Sequence, residues 1–233
     1  MHRFAQPYFI YLIPMLLAAV LSLRVFIEKW PAPYRIFSAL LFATLVIEFG
    51  AIIWMWDWHY IFGWNYSDSN IWLYNAGLLV RLILTVWFYH NIIESPRVRK
   101  LIRWIGGLAL LLLIAVYIGW PHNTFVGYFL LFNTVSILLA VLYFRQLLKN
   151  DEVIRLEKDP GVWISIGTLI YSMANLPVFT FIDYLVKTNT KAALDSLYYN
   201  DALNILSYTL FLIAFLCKPQ PKPLPSSSSS PHY

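Results

Sequence analysis

The chain reads as an all-α, polytopic membrane bundle of seven transmembrane helices, N-terminus outside and C-terminus inside, and three observations carry that reading. Hydrophobic residues make up 60% of the 233 and charged residues 12%, about half the charged share of an ordinary soluble domain. Seven stretches approach the roughly 20 apolar residues that a bilayer core asks of a helix. Lys and Arg are concentrated in alternate loops, as the positive-inside rule requires.

The first span, 8–26, carries small residues near its end, Ala18, Ala19 and Ser22, that suit a signal-cleavage site. Its cations, Arg24, Lys29 and Arg35, follow the apolar run instead of preceding it, so the span is expected to stay as a helix. The second, 36–56, is apolar except at its centre, where Glu48 lies one turn after Thr44. The third, 71–93, opens with Tyr74 and Asn75 and carries Arg81 one heptad beyond Tyr74. The fourth, 101–120, is unbroken apolar sequence from Leu108 to Val116 and should face lipid. The fifth, 126–148, contains Asn133. The sixth, 161–182, aligns Ser165, Thr168, Ser172 and Asn175 on one face, and Pro177 should kink it. The seventh, 198–217, aligns Asp201, Asn204 and Tyr208.

The loops fix the orientation. Loop one holds Arg24, Lys29 and Arg35; loop three Arg97, Arg99, Lys100 and Arg103; loop five Arg145, Lys149, Arg155 and Lys158. Loops two and four have no Lys or Arg, and in loop six Lys187 and Lys191 are balanced by Asp183 and Asp195. Loop two, Asp57 to Asn70, is rich in Trp and Tyr around His59 and reads as an interfacial aromatic belt. The tail, 218–233, alternates proline and ends in a serine run, a composition that builds no core and predicts a disordered cytoplasmic segment.

Several chemistries are excluded. The net charge of +5 is spread over short loops and is no nucleic-acid footprint. A single cysteine, Cys217, rules out an internal disulfide. A retinal Schiff base needs a lysine in the membrane interior, and none is there. The five histidines lie at span ends, loops or termini, so no metal or haem site is expected, and no cofactor. Phosphate-binding, dinucleotide and hydrolase motifs are missing, which points away from an enzyme.

What remains is a polar layer. At 1.5 Å per residue from the outer boundary, Glu48 lies about 12 Å deep and Arg81 about 15 Å, with Asn133 and Asn175 about 10 Å and Asn204 about 9 Å. Charges inside a bilayer cost several kcal/mol unless paired or wetted. Glu48 and Arg81 therefore read either as a ligand-binding pair or as a strut fixing helix register, and Ser and Thr also act as interhelical glue. Tyr74, Asn75, Asn133, Ser172, Asn175, Asp201, Asn204 and Tyr208 form the wall of an expected outward-facing pocket. Spans two, three, five, six and seven should enclose it, with one and four outside.

Three segments carry a resemblance: Asn70-Ile71-Trp72-Leu73-Tyr74-Asn75, Pro160-Gly161-Val162-Trp163-Ile164-Ser165 with Tyr171, and Asn204-Ile205-Leu206-Ser207-Tyr208. By these the chain resembles short bacterial membrane proteins made of a seven-helix module, similar in size to the transmembrane sensing halves of histidine kinases. The resemblance implies a signal-input or accessory role with a separate cytoplasmic partner. The expected function is a non-enzymatic receptor or sensor of the bacterial inner membrane, its partners the lipid bilayer, a small-molecule ligand and a cytoplasmic or membrane protein. A small transporter or channel subunit and a structural subunit of a larger complex stay open. Glu48 and Arg81 have no counterparts in the second half, so no inverted repeat supports the transporter.

Overall fold

The computed structural model describes residues 9–56, 71–119, 124–149 and 156–219. Every regular element among them is helical. A 3₁₀ turn, Phe9–Tyr11, leads into α1 (Leu12–Ser22) and the short α2 (Arg24–Ile27). Then come α3 (Ala32–Trp56), α4 (Ile71–Ile92), α5 (Pro96–Gly119), α6 (Thr124–Leu147), α7 (Pro160–Thr188) and α8 (Thr190–Leu216). Among the described residues five helices, α3, α4, α6, α7 and α8, are long and apolar enough to cross a membrane, and Leu12–Ile27 is a shorter apolar sixth. The aromatic belt expected at 57–70, and the tail beyond Pro219, lie outside the described residues.

Helix neighbours run α1, α3, α4, α6, α7, α8 and back to α1, a closed ring, with α5 packed outside it against α4 and α6. The position of α5 follows from its sequence: Trp104, Leu108 and Leu111 are 60–70% exposed, an apolar face with no protein against it. The first span departs from expectation. It was placed outside the polar layer, yet α1 packs on both α3 and α8. The small residues Ala18, Ala19 and Ser22 are its buried face, and Ser22 Oγ shares a 2.7 Å hydrogen bond with Ser38 Oγ of α3. Small side chains let membrane helices approach closely, which composition alone does not distinguish from a cleavage site.

Two loops are also helix. The cations Arg97, Arg99, Lys100 and Arg103 occupy the first two turns of α5, leaving only residues 93–95 as connection. Pro96 at the first helical position, with its fixed φ and missing N–H, starts the helix there. Loop six shrinks to Asn189, whose side chain caps α8 by accepting from Ala192 N at 3.1 Å. The 29 residues of α7 therefore rise about 43 Å, beyond the roughly 30 Å of a hydrocarbon core. The end of an apolar run marks where the membrane stops, and the helix continues. Pro177 lies within α7, which runs unbroken past it as one helix.

Connections 28–31, 93–95 and 156–159 lie at one end of the bundle, the basic end. There Asp159 caps α7 through Gly161 N at 2.8 Å and accepts from Tyr34 Oη of α3 at 3.2 Å and Tyr143 Oη of α6 at 2.9 Å. Arg24 donates to Glu28 at 2.8 Å and to the Phe215 carbonyl at the end of α8 at 3.3 Å. The Arg24 and Trp30 hydrogen bonds hold the Glu28 carboxyl below the usual carboxylate range. Lys29 has φ 53° and Trp30 N bonds back to the Val25 carbonyl at 2.9 Å, a Schellman closure of α2. A left-handed lysine carries a Cβ penalty that glycine lacks, so Lys29→Gly should raise stability by about 0.5–1 kcal/mol in equilibrium unfolding.

Candidate functional site

Glu48 and Arg81 meet. Arg81 Nη2 donates to Glu48 Oε1 at 3.1 Å, and the two side chains are 16% and 11% exposed. The other carboxylate oxygen, Oε2, accepts from Tyr74 Oη at 3.3 Å and Tyr11 Oη at 3.2 Å. Three donors from α4 and from the turn before α1 thus converge on one carboxylate of α3. That arrangement neutralises a buried anion and fixes the guanidinium. Three of the roughly four acceptor sites of the carboxylate are thus occupied.

The guanidinium itself is only partly used. Nε–H and Nη2 form one edge of the group, a fork that matches two acceptor oxygens. Nη2 takes Glu48, while Nε is buried with no hydrogen-bond partner among the described residues. Arg81 lines a cavity of about 80 Å³ inside the ring of helices. Its polar wall includes Thr44, Thr85, Ser172, Asn204, Ser207 and the phenols of Tyr89, Tyr171 and Tyr208; Phe37, Phe132 and Phe211 supply the apolar wall. On this measure a single water needs about 10–15 Å³, so the space suits several waters or a small ligand.

Cross-helix bonds hold these walls in register. Tyr89 Oη donates to Ser165 Oγ at 3.2 Å, which sets α4 against α7 and brings Arg81, two turns back, level with Ser172. Ser207 Oγ donates to the Gly167 carbonyl at 3.1 Å, setting α8 against α7. The approach is close there: a Cβ on Gly167 would lie 2.8 Å from Phe211 Cε1. Below the cavity, Phe37 packs its ring on Phe88 at 5.2 Å and on Phe211 at 5.0 Å, closing the basic end with aromatic surface.

Of the residues expected at the site, Arg81, Ser172, Asn204 and Tyr208 line the cavity, and Glu48 and Tyr74 are bonded to one another beside it. Asn133 and Asn175 are fully buried between α6 and α7 and lie outside the lining, as do the partly buried Asn75 and Asp201. The cavity runs from the level of Arg81 to that of Phe37 and Phe211, toward the basic end. Depth estimates locate polar groups along each helix but say nothing of which side of them holds the space. Thr85 and Tyr89 follow Arg81 at helical spacing and were legible as one stripe; Tyr11 carried no signal.

No cluster of three His, Cys, Asp or Glu side chains able to hold a metal ion occurs among the described residues. Comparison with known protein families, curated proteins and solved structures finds no match for this chain.

Proposed function

We propose that the chain is a non-enzymatic receptor or sensor module of the bacterial inner membrane that holds a small ligand against Arg81. The observation that carries this reading is the half-used guanidinium edge of a residue that lines a cavity: Nη2 on Glu48, Nε buried and without partner among the described residues. A carboxylate or carbonyl oxygen at Nε would complete the fork, and the hydroxyls around it would take further polar groups. Seven spans with the N-terminus outside fit the basic end as the cytoplasmic face, since Lys29, Arg35, Arg97, Lys100, Arg145 and Lys158 gather there. A protein or lipid partner at that face would read the state of the bundle. A ligand shifts such a bundle only through different affinities for its conformations.

Thermal unfolding of the detergent-purified protein with acetate, propionate or butyrate, against chloride controls, tests this. A saturable rise of about 5–10 °C at 100 times Kd is the expected result. Thr85→Ile, which keeps the β-branch, replaces the hydroxyl with carbon and fills the cavity, should remove it. An equal response in both proteins, or none with any carboxylate, would refute the reading. Solute flux through liposomes holding this chain alone would make it a transporter, and a stoichiometric copurifying protein a subunit of a larger complex.

A further inference from the structure

The helices α6 and α7 pack together, each carrying a stripe of buried polar side chains, and contacts mark the ends of their seam. Toward the basic end a Cβ on Gly161 would lie 2.5 Å from Tyr143 Oη, and toward the other the Phe129 and Phe179 ring centroids are 4.0 Å apart. Between these contacts α6 presents Asn133 and Ser136, and α7 presents Ser172 and Asn175; all four are at most 1% exposed. Asn133 Nδ2 donates within its own helix to the Phe129 carbonyl at 2.8 Å. Asn133 Oδ1, Ser136 Oγ, Ser172 Oγ and both amide atoms of Asn175 have no hydrogen-bond partner among the described residues.

Buried polar atoms in folded proteins are almost always satisfied by protein or by ordered water, and each buried water takes about three such partners. Five donors and acceptors gathered in one interhelical seam are a set that water matches, because it offers both roles in any direction. An Asn whose two amide atoms both go unmet by protein is the strongest member, since either rotamer of the amide leaves the same need. Ser172 lies in the polar stripe of α7 and in the cavity wall at once, so the seam reaches the cavity there.

We infer that the α6–α7 seam is a binding site for a file of ordered water that enters the cavity at Ser172 and wets the Arg81 guanidinium. This explains how an ion pair is sustained between apolar helices: the seam supplies the hydration that pairing with Glu48 leaves incomplete. The Phe129 and Phe179 rings close the file at the end away from the basic loops. The inference rests on α6 and α7 and stands whether or not a carboxylate binds the cavity.

The test is an experimental density map of the full chain in lipid nanodiscs at about 2 Å, paired with the melting temperature of Asn175→Leu. Ordered solvent peaks should lie within hydrogen-bond distance of Asn175, Asn133 and Ser172, and Asn175→Leu, nearly equal in volume, should lower Tm by about 2 °C or more by stranding the remaining groups. A seam without solvent peaks, its amides bonded to each other, overturns the inference. So does a raised Tm in the variant, the signature of deleting a polar group that had no partner at all. If Asn175→Leu does not fold, the map of the unaltered chain decides.

Discussion

Glu48→Leu should lower stability by about 3–5 kcal/mol, and by more than Arg81→Leu. Either substitution strands one member of an ion pair whose side chains are 16% and 11% exposed. The two survivors differ in chemistry. A lone carboxylate can take up a proton, and at Glu48 it would still hold the hydroxyls of Tyr11 and Tyr74. A lone guanidinium cannot lose its charge in a protein, and its one carboxylate partner among the described residues is Glu48. The measurement is reversible unfolding of both variants in mixed micelles. Equal, small losses would show that water or lipid headgroups already solvate the pair and that its pairing contributes little.

The charge exchange Glu48→Arg with Arg81→Glu separates strut from site. A strut needs opposite charges at two positions, so the exchange should recover folding wherever the pairing alone matters. The hydroxyls of Tyr11 and Tyr74 are placed to donate to an acceptor on α3, and an arginine there gives them none. Recovery should therefore be partial, short of the starting protein by about 1–3 kcal/mol for donors left buried. Carboxylate-induced stabilisation should be lost altogether, because the cavity would then face an anion.

The sequence made the charge pair legible because charge in an apolar run has few explanations, and residue counts from span ends put Glu48 and Arg81 at matching depths. Helical phase likewise joined Ser165 to Ser172 and Asn175, which all proved buried. Phase and depth fix where a side chain lies on its own helix but not which helix it faces. That is why the polar positions alone put α1 outside the ring, although Tyr11 reaches Glu48. Helix ends and span ends differ for another reason. Hydropathy follows the membrane boundary, whereas α5 and α7 follow backbone signals, a proline at the first position and an asparagine cap between helices.

Gly161→Ala should be the most damaging single-methyl change in the chain, about 3 kcal/mol or more. Its Cβ would sit 2.5 Å from Tyr143 Oη and 2.6 Å from Ile92 Cδ1, distances at which something must move. Overpacking alone costs about 1–3 kcal/mol. Tyr143 is also the hydroxyl that holds Asp159 at 2.9 Å, and Asp159 ties α3, α6 and the start of α7 together. Displacing Tyr143 therefore loosens three helices at the basic end and a hydrogen bond to a charged group, worth about 1.5–3 kcal/mol. Gly107→Ala is the matched control. That residue is exposed on α5 with nothing within 4 Å of an added Cβ, so the change should stabilise by up to about 1 kcal/mol through helix propensity. Opposite signs for the two alanines in the same unfolding assay would establish that the loss at 161 comes from the clasp. A mild effect at 161 would mean that Tyr143 has room to swing away, and that Asp159 keeps α7 in place through Tyr34 and the backbone of residue 161 alone.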